Sequence, residues 1–237
     1  MSDKSLVVAQ INFRNNRLAY IITGITLACF VIMDIVLILL DRFGVFSGGE
    51  GNATIGLGNY LFLLLLLSAI FVPARNFRKI MNLGGKRADF FSGCAATHVI
   101  MAAALSFAGI VLYYTYDRLV SAIYYGGGSL NVLNAFGWIT NGPVVAFLQQ
   151  FAFLVFVAAF IHTLTAMQDK WYGWVADIVI IAIISVFTPI APLRAALAWF
   201  FNLIIFHRFA FVQIVSCLIL AALLYMLNKP ILARKTI

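Results

Sequence analysis

Four ionisable residues fall inside long apolar runs: Asp34, His98, His162 and Asp177. A titratable side chain at membrane depth is costly, and it marks either a proton or ion path or a polar bond between helices. Both readings stay open for all four. Asp177 also has Lys170 seven residues earlier on the same helical face, so it can reach toward a membrane surface. Hydrolytic and nucleophilic chemistry lack their signatures. The chain has eight acids, and only Glu50 among them is a glutamate. It has no H-E-x-x-H, no paired glutamates and no G-x-S-x-G. It also has no G-x-x-x-x-G-K-[ST] loop to cradle nucleotide phosphates; Leu83-Gly84-Gly85-Lys86-Arg87 has glycines and a lysine but neither the spacing nor the hydroxyl. Cys29, Cys94 and Cys217 sit in separate apolar segments, form no C-x-x-C pair, and read as small buried hydrophobes. The expectation is a non-enzyme with no catalytic residue, no metal and no cofactor of its own.

The most informative stretch runs PARNFRKIMNLGGKRADFF from Pro73 to Phe91. Phe77, Ile80 and Met81 recur at i, i+3 and i+4, while Arg75, Arg78 and Lys79 fill the other faces. Pro73 is expected to end the preceding span, the Gly84-Gly85 pair to stop this short helix, and Asp89 to cap the next span. The spacing therefore predicts a short amphipathic basic helix at a membrane surface. It reads either as a helix anchored on anionic lipid or as a knob for a cytoplasmic partner.

The elements that must position these residues are membrane spans. Of 237 residues, 64% are hydrophobic and only 10% charged, with a mean hydropathy of +1.03. A soluble domain carries about 25% charged residues. A soluble globular protein, a disordered chain and a disulfide-stapled secreted domain are excluded. Six apolar runs, at about 18–40, 57–73, 90–114, 144–167, 173–191 and 209–227, are each near the length needed to cross hydrocarbon. The first is too long for a signal peptide and has no cleavage site after it. The fold class expected is an all-α integral membrane protein, one domain over 1–237, with six transmembrane helices. With both termini in the cytoplasm, 12 of the 16 lysines and arginines lie on the inner side, as the positive-inside rule requires. The net charge of +8 thus sets topology and does not indicate nucleic acid. The Gly126-Gly127-Gly128 break lies in the longer outer loop. The run Ala195–Phe206, after Pro189 and Pro192, is apolar but too short to span, and predicts a re-entrant or interfacial helix between spans five and six.

The segments Asn76-Phe77-Arg78-Lys79 and Gly84-Gly85-Lys86-Arg87-Ala88-Asp89-Phe90-Phe91 resemble the inner loop of small ABC exporter permeases, the ABC-2-like membrane subunits. Val7, Val8, Ile11 and Phe13 with Arg14 and Arg17 resemble the amphipathic N-terminal interface helix of that family. Lys86 stands where the family often has Ser or Thr before its arginine, here Arg87. The resemblance implies the membrane-spanning subunit of an ATP-driven exporter in the bacterial plasma membrane. ATP and Mg would sit on cytoplasmic ATPase subunits, and a second permease copy would complete the channel. Coupling would fall to Arg75, Phe77, Arg78, Lys79, Ile80, Met81 and Arg87. The cargo would be apolar or amphipathic: a peptide, a lipid-like molecule or a drug. The alternatives are an ion-coupled carrier using Asp34, His98, His162 or Asp177, and a membrane scaffold without transport.

Overall fold

In a computed structural model, residues 3–44, 54–123, 129–168 and 170–233 are described. Glu50, the Gly126-Gly127-Gly128 break, Arg234 and Lys235 lie outside them. The architecture is helical. Helix α1 (Asp3–Asn15) leads into α2 (Arg17–Arg42), followed by α3 (Leu57–Asn82), α4 (Arg87–Ile123) and α5 (Pro143–Met167). Then come α6 (Trp171–Phe187), α7 (Ala191–Phe206) and α8 (Ala210–Ala233). Of these, α2, α3, α4, α5 and α8 are each long and apolar enough to cross a membrane. The pair α6 and α7 passes that test only jointly, and its two halves meet at a bend of 116°. The protein is thus a bundle of membrane-length helices.

Side-chain contacts fix the direction of each helix. Phe30 of α2 stacks on Tyr60 at the start of α3. Phe77 near the end of α3 meets Phe90 near the start of α4. His98 of α4 meets His162 of α5, while Gln150 lies over Gly109. Successive helices from α2 to α5 therefore run antiparallel. In contrast, α5 and α8 run parallel: Gln149 bonds Gln213 at 2.6 Å, and Thr163 Oγ1 donates to the Leu224 carbonyl at 3.4 Å. The segment between them, α6 with α7, must carry the chain back from one end of the bundle to the other. At 17 residues α6 is about 25 Å long, close to the hydrocarbon thickness.

Small residues let these helices approach. The α5 face against its neighbours buries Ala146, Ala152, Ala158, Ala159 and Ala166, and α4 contributes Gly93, Ala102 and Gly109. Close backbone approach is what packs helices where lipid supplies no hydrophobic drive. A Cβ at Gly93 would collide with Val8 of α1.

The sequence expectations need three corrections. Pro73 does not end the second span. The chain makes a π-turn over Val72–Asn76 and stays helical to Asn82, so the basic segment is the last turns of α3 and not a separate surface helix. A proline removes one backbone donor, and widening the helix by one residue per turn absorbs the mismatch without breaking it. Asp89 is not the cap of α4: Lys86 holds that position, and Asp89 lies in the first turn, where an acid still favours the helix dipole. The third run is longer than expected, because a second π-turn at Tyr113–Asp117 extends α4 to Ile123.

A third π-turn, Asn202–Phe206, ends α7. It leaves carbonyls without helical donors, and side chains supply them. Gln213 Nε2 and Cys217 Sγ donate to the Ile204 carbonyl at 3.1 and 3.4 Å, and Trp138 Nε1 to that of Ile205 at 3.0 Å. Gln213→Leu removes one of these donors and the acceptor of the Gln149 amide. It is expected to lower stability by about 1–2 kcal/mol, against less for Cys217→Ala, measured by SDS titration in mixed micelles.

Candidate functional site

One end of the bundle collects α1, the end of α3, the start of α4, and the ends of α5 and α8. Val8, Val72, Phe77, Ile80, Phe90, Cys94, Ala166 and Leu232 form a single buried cluster there. The stripe of α1 that faces the bundle carries Ser5, Val8, Ala9 and Asn12, all buried, while Leu6 and Val7 are exposed. Asn12 is the hub. Its Oδ1 accepts from Asn76 Nδ2 at 3.0 Å, and its Nδ2 donates to Thr97 Oγ1 at 3.3 Å. One asparagine thus ties α1 to the π-turn of α3 and to α4.

The turn after α3 is set by glycine. Gly84 has φ +79, and its N–H donates to the Met81 carbonyl while that of Gly85 donates to Ile80. This is the Schellman closure of a helix, which needs a left-handed residue at the position of Gly84. At Gly85, a Cβ would sit 2.8 Å from the Ile80 carbonyl oxygen. The turn sends the chain straight into α4.

The predicted coupling residues separate into two groups. Phe77 (0% exposed) and Ile80 are inside the chain's own core, and Met81 is half-buried beside them. The apolar face predicted for this segment exists, but α1 and α4 cover it. Phe77 and Ile80 are therefore not on an exposed docking face. Arg75, Arg78 and Lys79 are exposed, with Arg75 lying over the Phe71 ring, and Arg87 is half-buried. What this end presents outward is a basic face carried rigidly on the last turns of α3.

Within the bundle, sequence-distant polar residues meet. His98 and His162 are both buried, with ring centroids 5.0 Å apart, and His98 Nδ1 lies 3.0 Å from the Tyr225 hydroxyl. His98 Nε2 has no hydrogen-bond partner among the described residues. Asp177 takes its hydrogen bond from Gln168 at 2.7 Å. Asp34 belongs to the opposite end of the bundle, where it accepts from the Tyr116 hydroxyl at 2.8 Å. The four intramembrane candidates thus form no common site: the two histidines meet, and the two aspartates lie elsewhere.

The opposite end also holds a latch that the sequence reading missed. Buried Asp117 accepts from the Leu57 N–H at 3.0 Å and from Asn131 Nδ2. Asn59 Nδ2 donates to the Leu130 carbonyl at 2.8 Å, and the Val132 N–H donates to Asn59 Oδ1. Thr54–Ile55 and Ser129–Leu130 pair as a two-residue parallel bridge beside it. Asp117 follows the apolar run of α4 in a tyrosine-rich stretch. That acid was a visible signal, but its partners come from other segments. Tyr225 and Asn12 were missed for the same reason.

Comparisons with protein families, with curated proteins and with solved structures find no match. The geometry alone therefore has to carry the functional reading.

Phe77→Ala is expected to cost about 3 kcal/mol through the cavity it opens beside Phe90. Exposed Arg78→Ala should fall within about 0.5 kcal/mol of wild type. Unfolding in mixed micelles measures both, and equal losses would contradict the inside–outside division of this segment.

Proposed function

We propose that the chain is the membrane-spanning subunit of an ATP-driven ABC exporter, crossing the bacterial plasma membrane six times with both termini in the cytoplasm. The observation that carries this reading is the exposed basic face of Arg75, Arg78 and Lys79, built without a break onto a membrane-length helix. A push on that face is transmitted along α3, because Phe77, Ile80 and Asn76 lock the same turns to α4 and α1. The alternation of helix direction, with α6 and α7 together as one return crossing, supports six crossings. The lysines and arginines of α1 and of residues 75–87, together with Lys170 and Lys229, gather at one end, while Arg42, Arg118, Arg194 and Arg208 belong to the other. That asymmetry supports a cytoplasmic location for the richer end.

The mechanism is mechanical. The chain has no loop for ATP phosphates, so ATP and Mg belong to a cytoplasmic ATPase that docks on the basic face. Closure of the ATPase pair shifts α3 relative to its neighbours, and the π-turns at Val72–Asn76 and Tyr113–Asp117 are the places where the helices give. The chain contributes two packings that the partner biases. The least buried spans, α2 and α8, have 11% and 17% of their apolar windows covered, against 44% for α3 and α5. Those open faces suit lipid and a second permease copy. An apolar or amphipathic cargo fits a pathway between two such copies.

The meeting of His98, His162 and Tyr225 favours a second reading, an ion-coupled carrier acting alone. Mild-detergent purification from native membranes, with an ATPase assay on what accompanies the chain, separates the two. A co-purifying subunit with vanadate-sensitive hydrolysis is expected. In that complex, Arg78→Glu with Lys79→Glu should lower ATPase stimulation at least tenfold while membrane insertion stays normal. Unchanged stimulation would sink the docking face. Proton-gradient transport by the chain alone, lost in His98→Gln, would move the assignment to the carrier.

A further inference from the structure

A groove of about 390 Å³ lies at the basic end of the bundle, between α1 and the turn that joins α3 to α4. Its floor is apolar, made by Val8, Ile11 and Ile80, and Lys4 and Lys86 flank it, with Asp89 the one acid among its described lining residues. The two glycines of the turn leave its wall without side chains; nothing lies within 4 Å of a Cβ placed at Gly84. Leu83 on its rim is 80% exposed, and Val7 and Leu6 on the α1 side are about half exposed. Leu83 ends a membrane-length helix and Lys86 precedes the next, so the groove opens at the level where hydrocarbon gives way to headgroups. This surface is separate from the face of Arg75, Arg78 and Lys79.

We propose that this groove binds an anionic phospholipid of the inner leaflet. The lysines Lys4 and Lys86 hold the phosphate, and Leu6, Val7 and Leu83 lie along the first acyl carbons. A partner needs two properties here. It needs negative charge to complement two lysines that outnumber one carboxylate, and a flexible apolar tail to cover exposed leucines and a valine beside the charge. A lipid supplies both in one molecule, and it is already present at this depth. Bound there, it bridges α1 and the Gly84-Gly85 turn, so its occupancy stabilises the packing of α1 against the start of α4. The proposal stands whether or not an ATPase docks nearby.

Native mass spectrometry of the full chain in detergent tests it, with phosphatidylglycerol, phosphatidylcholine of the same acyl chains, and inorganic phosphate as separate probes. Phosphatidylglycerol is expected to bind preferentially, and Lys4→Gln and Lys86→Gln each to weaken it about fivefold. Leu83→Ser, which keeps both lysines, should weaken phosphatidylglycerol but not phosphate. Arg118→Gln, at the other end, should change nothing and serves as the folding and charge control. Equal binding of the two lipids, or unchanged binding in both lysine variants, overturns the proposal. Phosphate competing as well as the lipid would reduce the site to an anion site and overturn the lipid assignment. If the lysine variants lose a co-purifying protein while lipid binding is unchanged, the groove belongs to that protein.

Discussion

Hydrocarbon offers no water, so every polar group inside this bundle has to find its partner within the chain or bear an unpaired cost of several kcal/mol. The three π-turns show the constraint at work. A π-turn frees backbone carbonyls from their helical donors. For Asn202–Phe206 the answer comes from Gln213, Cys217 and Trp138, on two other segments. The same need pairs Gln149 with Gln213, and that pair sets the parallel register of α5 and α8. The direction of the intervening chain follows from that register. Much of the topology therefore rests on a few side-chain amides whose alternatives in lipid are worse.

Both ends of the bundle combine a buried apolar cluster with hydrogen bonds between sequence-distant polar side chains. At the basic end, an aromatic and aliphatic cluster is closed over by α1, and Asn12 joins three helices through its amide. At the other end, the hydrogen bonds around Asp117 adjoin a second apolar cluster, in which Leu133, Trp138, Ala146 and Ile204 are buried and Tyr113 and Val132 pack against them.

Asn12 also puts a polar anchor into the buried face of α1. The face of α1 that meets the bundle mixes Ser5 and Asn12 with Val8 and Ala9, and its exposed side mixes Leu6 and Val7 with Lys4, Gln10 and Arg14. At a membrane surface this arrangement is favourable twice, because the asparagine amide gains buried partners and the aliphatic side chains gain lipid. The helix is thereby held between the bundle and the bilayer, and its position responds to both.

The helical membrane class was legible in composition and run length alone, since an 18-residue apolar run has one stable form in lipid. The places of the apolar runs were legible too, and so was the sharp break between α6 and α7, which prolines announce, but the ends of α3 and α4 were not, because π-turns carry both helices past the expected limits. The Phe77, Ile80 and Met81 periodicity was correctly helical, but periodicity gives a face and not what covers it. Only the tertiary structure put α1 over that face and turned an expected docking knob into core. Pro73 misled for a related reason: a proline says that one donor is missing, while neighbouring helices decide whether the gap ends the helix or widens it. The meeting of His98, His162 and Tyr225, and the separation of Asp34 from Asp177, also needed the fold. Contacts between residues 60 to 130 positions apart follow from register and crossing geometry, which no local pattern encodes.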